Sequence, residues 1–178
     1  MSGLPTGGTS EARARFDELD LPKRPGLYRI WLGPEAEDTV LGLEPGSLLY
    51  VGRGRRVRTR VLAHARSDKT SGSTFRRTLG ALLREPLALT AYLGGAGDPH
   101  LFRFDPAGED RLTEWIATHL RVSVEVSVEA FESELAVLAR ERPPLNLKDV
   151  THAHTDRVTA YKNRCVDDAR ANGVLLAS

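Results

Sequence analysis

The sequence predicts an α+β fold, a small central β-sheet flanked by helices. Three observations carry that prediction. Two short apolar runs, Leu27 to Leu32 and Ser47 to Val51, have the length of strands. Residues 121–129 alternate, with Val122, Val124, Val126 and Val128 on one face and serine and glutamate on the other, which is the two-residue period of a strand. Amphipathic stretches of helical period lie between and after these runs. The 178 residues, 40% hydrophobic and 28% charged, suit one folded domain with appendages and exclude a disordered or fibrous chain.

The elements follow in order. Residues 1–9 read as a tail, and Ser10 caps a short helix from Glu11 to Leu19, so residues 1–22 stand apart as an N-terminal tail and helix. Lys23-Arg24-Pro25-Gly26 turns the chain into the first strand. An acidic loop, Gly33 to Gly46, leads to the second strand, which ends at Gly52. Arg55 to Arg66 is the first helix. After a polar loop, Ser73 or Thr74 caps a second helix that runs to about Leu83 and is stopped by Pro86. Leu87 to Leu93 and His100 to Phe104 are two strands joined by Gly94-Gly95-Ala96-Gly97-Asp98-Pro99. That glycine cluster lacks the lysine and the following helix of a phosphate-binding loop. Glu109 to Leu120 is a helix with Leu112, Trp115, Ile116 and His119 on one side. Ala130 to Arg142 is another, stopped by Pro143-Pro144, and Thr155 to Ala171 is the last. The main domain is thus 23–150, with extra helices and strands inserted over about 67–120 and a helical extension over 151–178.

A single cysteine, Cys165, excludes an internal disulfide framework and a cysteine zinc site, and its place in a helix reads as a buried small residue. No run of 18 apolar residues occurs, and the N-terminus has neither the basic region nor the apolar core of a signal peptide. No membrane partner and a cytoplasmic location are expected. His152-x-His154, with Asp156 the one close acid, reads as a loop into the last helix more than as a metal pair.

Charge is balanced in total and lopsided in place. Residues 53–84 hold Arg53, Arg55, Arg56, Arg58, Arg60, Arg66, Lys69, Arg76, Arg77 and Arg84 against Asp68 alone, leaving fifteen bases and twenty-three acids for the rest. That stretch is +9 on a chain of net charge +1. Charge alone fits a nucleic-acid partner and two arginine-rich solvated helix faces about equally.

Several polar residues sit at or beside apolar stripes. In the first helix Val57, Val61 and Ala65 form the stripe, and Arg60 and His64 fall on its edge. In the helix 130–142 the stripe is Phe131, Leu135, Leu138 and Ala139, with Glu134 on its edge. An acid there is paired, solvated in a cleft, bound to metal, or a surface residue snorkelling outward. Tyr28 and Tyr50, one in each early strand, read on their own as core aromatics with tethered hydroxyls.

Taken together these residues resemble the GIY-YIG nuclease superfamily. The first strand carries Gly26-Leu27-Tyr28 and the second Tyr50-Val51-Gly52, followed by the basic Arg53. Arg60 comes eight residues after the motif glycine, and His64 one turn later matches the histidine of many restriction and homing members. Glu134 matches the family's metal-binding glutamate, and Asn146 follows twelve residues on, just past Pro143-Pro144. The nuclease subunit of bacterial nucleotide-excision repair has the same spacing. Bacterial members also carry stretches similar to residues 71–77 and 112–115. The loop over residues 29–49 is longer than the family usually places between its two tripeptides, and no second DNA-binding module is visible.

The resemblance implies a metal-dependent endonuclease acting on nucleic acid, DNA above all. It implies Tyr28, Tyr50, Arg60, His64 and Glu134 as catalytic residues. Gly26, Gly52 and Asn146 are implied as structural parts of the motif. Glu134 would hold Mg²⁺ or Mn²⁺. Tyr28 would be the base, its phenol assisted by Arg60, Arg53, the metal or a proton passed to His64. Arg53, Arg55, Arg56, Arg58, Arg76 and Arg77 would track the phosphate backbone. The alternative is a non-catalytic nucleic-acid-binding module on the same scaffold. A homodimer is compatible with one site cutting one strand.

Overall fold

The computed structural model describes residues 13–36, 41–66, 70–95, 98–148 and 150–175. They form six α-helices, a three-stranded antiparallel sheet and a two-stranded one, so the chain adopts the α+β fold with a small sheet flanked by helices. β1 (Gly26–Leu32) is the central strand, with β2 (Leu48–Gly54) and β5 (Leu120–Glu125) antiparallel on either side.

β1 is apolar except at Arg29 because helices cover both of its faces. Tyr28, Ile30 and Leu32 enter the larger core with Phe75, Leu79 and Ile116. Leu27 enters a smaller core with Val51, Ala130, Val137 and Leu138. Arg29, on the Leu27 face, donates from Nε (3.0 Å) and Nη2 (3.2 Å) to Glu141, tying β1 to α5 (Glu134–Glu141). A β-carbon on Gly26 would lie 2.6 Å from the Glu125 carbonyl oxygen, so only glycine lets β5 close on β1 there.

α1 (Val57–Arg66) follows β2 and docks on the sheet through Val57, Val61 and Ala65. The inserted residues supply a 3-10 turn (Thr70–Gly72), α2 (Thr74–Leu82), the hairpin β3 (Ala91–Leu93) and β4 (Phe102–Phe104), and α3 (Pro106–His119). The last helix, labelled α6 after α4 (Val128–Glu132) and α5, spans Thr155–Asn172 and packs on β3 and α2. It buries Val158, Cys165 and Ala169 in the same core as Tyr28 and Leu79. The insertion and the C-terminal helix therefore share one core with the sheet. Among the described residues no helix is long and apolar enough to cross a membrane.

Four expectations on local structure are corrected. Ser10 and Glu11 lie outside the described residues, and residues 13–19 are not helical. Ala14 instead exchanges two backbone hydrogen bonds with Val122, 3.0 and 2.9 Å, on the open edge of β5. An unpaired strand edge offers more than a short isolated helix can. The alternation of residues 121–129 ends as strand at Glu125, because Ser127 accepts the Ala130 N–H (2.8 Å) and caps α4. The helix expected over 130–142 is two helices, broken at Ser133, whose hydroxyl donates to the Ala130 carbonyl (2.9 Å). The break shifts the helical phase, so Val137 and Leu138 are buried while Leu135 is 62% exposed and Ala139 is exposed. The strand expected over 87–93 shrinks to Ala91–Leu93, preceded by a turn in which Ala88 takes a φ of 47°. Asp68, Lys69, Ala96, Gly97 and the tail over 1–9 lie outside the described residues.

Candidate active site

Tyr28 and Tyr50 stand on the same face of the sheet because Tyr28 pairs with Gly52 and Tyr50 with Ile30, leaving the two rings diagonal, 6.3 Å apart. Gly52 keeps that diagonal open. A β-carbon there would lie 2.5 Å from Tyr28 Cζ and 3.0 Å from Tyr50 Cε1. Gly52→Ala is expected to displace both phenols and cost about 1–3 kcal/mol of stability, read from urea unfolding. A variant as stable as wild type would show that the rings move freely.

The structure separates Arg60 from His64. His64 lies two turns past Val57, inside the buried stripe and not on its edge, while Arg60 is exposed. His64 Nε2 is 2.6 Å from the Tyr28 hydroxyl and Nδ1 is 2.9 Å from Ser73 Oγ. Phe75 packs against both Tyr50 and His64, with ring centroids 5.3 and 5.2 Å away.

Burial pushes the Tyr28 phenol well above its ordinary value of 10, the neighbouring Tyr50 adds to the rise, and the charge and hydrogen bond of Arg60 pull it back. Burial also raises Tyr50, again against Arg60. Burial first, then the charges of Arg60 and Arg76, push His64 down to about 3. At neutral pH both phenols therefore carry their protons and His64 is neutral.

Glu134 opens α5, where the helix N-terminus favours a carboxylate. With Tyr50, Thr74, Asn146 and Lys148 it lines a pocket of about 140 Å³. Glu134 Oε2 accepts from Arg53 Nε at 2.8 Å. Arg53 also donates from Nη1 to the Phe131 carbonyl (3.3 Å) and lies 4.7 Å over the Phe131 ring. Asn146 serves β2 as a strand neighbour: its Oδ1 accepts the Val51 N–H (2.9 Å) and its Nδ2 donates to the Val51 carbonyl (2.8 Å). That ties the segment after α5 to the edge strand carrying Tyr50.

Two tyrosines on neighbouring strands, an arginine and a histidine on the following helix, and a glutamate and an asparagine brought beside them form one constellation. The family model for the GIY-YIG catalytic domain matches residues 26–166. The chain belongs to that family. No curated protein and no solved structure matches the chain. The match runs through the inserted residues and into α6, the segments that share the core with the sheet.

The basic residues of this GIY-YIG domain divide sharply. Arg55, Arg56 and Arg58 are exposed, and Arg55, Arg56 and Arg60 border a surface hollow with Gly54, Thr59 and Ala63. Arg77 is half-buried, bonded to the Ser71 carbonyl and, at 3.2 Å, to Thr74 Oγ1, and burial lowers its pKa. Arg76 is a correction. It is fully buried and reaches Glu109 Oε2 (2.8 Å), the His64 carbonyl (3.0 Å) and Thr70 Oγ1 (3.3 Å), so it is closed to a phosphate backbone. Arg53 is engaged by Glu134 through Nε, and its side chain remains 41% exposed.

Two residues of the site were not anticipated. Ser73 was visible only as a helix cap, and nothing local tied it to His64. Glu109, buried under Arg76, stands in the sequence only as the first residue of an amphipathic helix. The lone acid among ten bases in residues 53–84 was the available hint that a buried arginine must find its partner elsewhere.

Among the described residues no group of three histidine, cysteine, aspartate or glutamate side chains could hold a metal. One carboxylate in an open pocket beside a phenol suits a hard cation that completes its shell with water, and not zinc. His154 N–H donates to His152 Nδ1 at 3.1 Å, a loop contact ahead of α6.

Proposed function

We propose that the protein is a metal-dependent endonuclease hydrolysing phosphodiester bonds in DNA. The observation that supports it is the convergence of Tyr28, Tyr50, Arg60 and Glu134, from β1, β2, α1 and α5, beside a pocket in a GIY-YIG domain. Glu134 would hold Mg²⁺ or Mn²⁺, whose chemistry is to polarise the phosphate and stabilise the leaving oxygen. Arg60 presents its guanidinium fork, exposed, to the charge that builds on the phosphate. Tyr50 orients phosphate or water at the pocket. Tyr28 is the base. Its phenolate costs more than about 4 kcal/mol at neutral pH, since the pKa lies above 10, and Arg60 already works against that cost. Arg55, Arg56, Arg58 and Arg77 follow the backbone, each true contact steepening the salt dependence of binding by about one unit of slope.

A second reading, a nucleic-acid-binding module without catalysis, is favoured by the Arg53–Glu134 pair, which engages Oε2 of the carboxylate that would take the metal. Supercoiled plasmid with Mg²⁺ or Mn²⁺ separates the two. The nuclease nicks it, and Glu134→Ala and Arg60→Ala each lose about a hundred- to a thousandfold in rate while staying folded. Salt-dependent binding with no nicking would select the binding module. Nicking that survives Glu134→Ala would overturn the site.

A further inference from the structure

Ser73 caps α2, and its Oγ has two polar neighbours, the Arg76 backbone N–H at 3.1 Å and His64 Nδ1 at 2.9 Å. Ser73 is buried, so its hydroxyl proton needs an acceptor inside the protein. The Arg76 N–H is itself a donor. Among the described residues the acceptor is therefore His64 Nδ1. A neutral imidazole that accepts at Nδ1 carries its proton on Nε2. Nε2 lies 2.6 Å from the Tyr28 oxygen, so the ring donates and the phenol accepts. The Tyr28 proton is left to face Tyr50, whose ring centroid is 6.3 Å away and which lines the pocket. The opposite arrangement, Tyr28 donating to Nε2, puts the ring proton on Nδ1 and strands the buried Ser73 proton.

We infer that Ser73 is a positioning residue that fixes His64 in its Nε2–H tautomer, so that neutral His64 donates to the Tyr28 oxygen and does not accept the Tyr28 proton. The charge of Arg60 favours an anion on the same oxygen. When Tyr28 loses its proton to solvent in the pocket that Tyr50 lines, the charge left on its oxygen is met by the fixed His64 Nε2–H and by the positive charge of Arg60, as in an oxyanion hole. Ser73 lies on the insertion, which gives that segment a part in the site. Burial keeps the imidazole neutral throughout. The consequence for catalysis rests on the nuclease reading, whereas the tautomer is a property of the folded chain alone.

Nitrogen NMR of the full chain with labelled histidines reads the tautomer directly. His64 should show an unprotonated Nδ1 and a protonated Nε2, unchanged between about pH 5 and 8. Ser73→Ala should convert it to a mixture of tautomers, and Ser73→Thr should restore the single form. In plasmid nicking, His64→Ala should lose about a hundredfold. His64→Gln, which has an N–H donor and no basic nitrogen, should recover most of that loss. A wild-type His64 protonated on Nδ1, or a folded His64→Gln as slow as His64→Ala, would overturn the assignment. If wild type never nicks, the nuclease reading fails, and the NMR result still decides the tautomer.

Discussion

Arg76→Ala is expected to cost about 3–5 kcal/mol, because it leaves a carboxylate charged and unpaired in a dry core. Glu109 is buried and receives, besides Arg76, the Thr70 N–H (3.2 Å), the Thr70 hydroxyl (2.7 Å) and the Phe104 N–H (3.1 Å). Those donors fix its position but carry no compensating charge. Against a domain stability of about 5–15 kcal/mol the loss brings the chain close to unfolding. Arg76→Lys should recover only part, since one ammonium cannot reach Glu109, Thr70 and the His64 carbonyl together. Arg77→Ala, one residue on and half-buried, should cost less than about 1 kcal/mol. Urea midpoints of the three variants make the comparison. Equal midpoints for Arg76→Ala and Arg77→Ala would refute the division between a structural and a surface arginine.

Acid should destabilise the fold through His64. An unfolded His64 takes up a proton near pH 6.5, whereas the folded one, under its burial, does so only at about 3. Below pH 6.5 the unfolded chain binds the extra proton, so the stability is full above 6.5 and is lost as pH falls toward 3. The loss reaches about 5 kcal/mol if nothing else relaxes. Glu141 acts in the same direction at lower pH. Burial pushes its carboxyl up, but hydrogen bonds from Arg29 and Arg140 outweigh burial and hold it below its ordinary value. Its share disappears as pH falls through that lowered value. Unfolding free energy measured from pH 7.5 to 4 should therefore fall steeply in wild type and less steeply in His64→Gln. Parallel profiles for the two proteins would mean that His64 is not the group responsible.

Much of the site was legible because its parts are local. A strand, a turn and a helix place Tyr50, Gly52, Arg60 and His64 at spacings that the helical repeat converts into geometry. Glu134 and Asn146 were legible by resemblance, as a pair twelve residues apart at the two ends of one helical segment. The errors arose where two local signals competed. Val126 and Val128 continue a strand pattern, yet Ser127 caps a helix at the same place, and the cap prevailed. Leu135 continues a stripe only if Ser133 does not break the helix, and its hydroxyl bond to Ala130 marks that break.

By itself the sequence determined the class of fold, the three strands of the main sheet, and which strands and helix carry the two tyrosines and Arg60. These follow from periods of two and 3.6 residues, which need no knowledge of what lies opposite. Tertiary structure decided the fate of the arginines. Arg76 and Arg77 are adjacent and chemically identical, and about 100° of helical rotation separates them. One turns into the core, where Glu109 meets it from another helix, and the other turns to the surface beside Thr74. Periodicity assigns a residue to a face. Only the packing of a distant segment against that face determines whether a charge there is neutralised inside or left free for a phosphate.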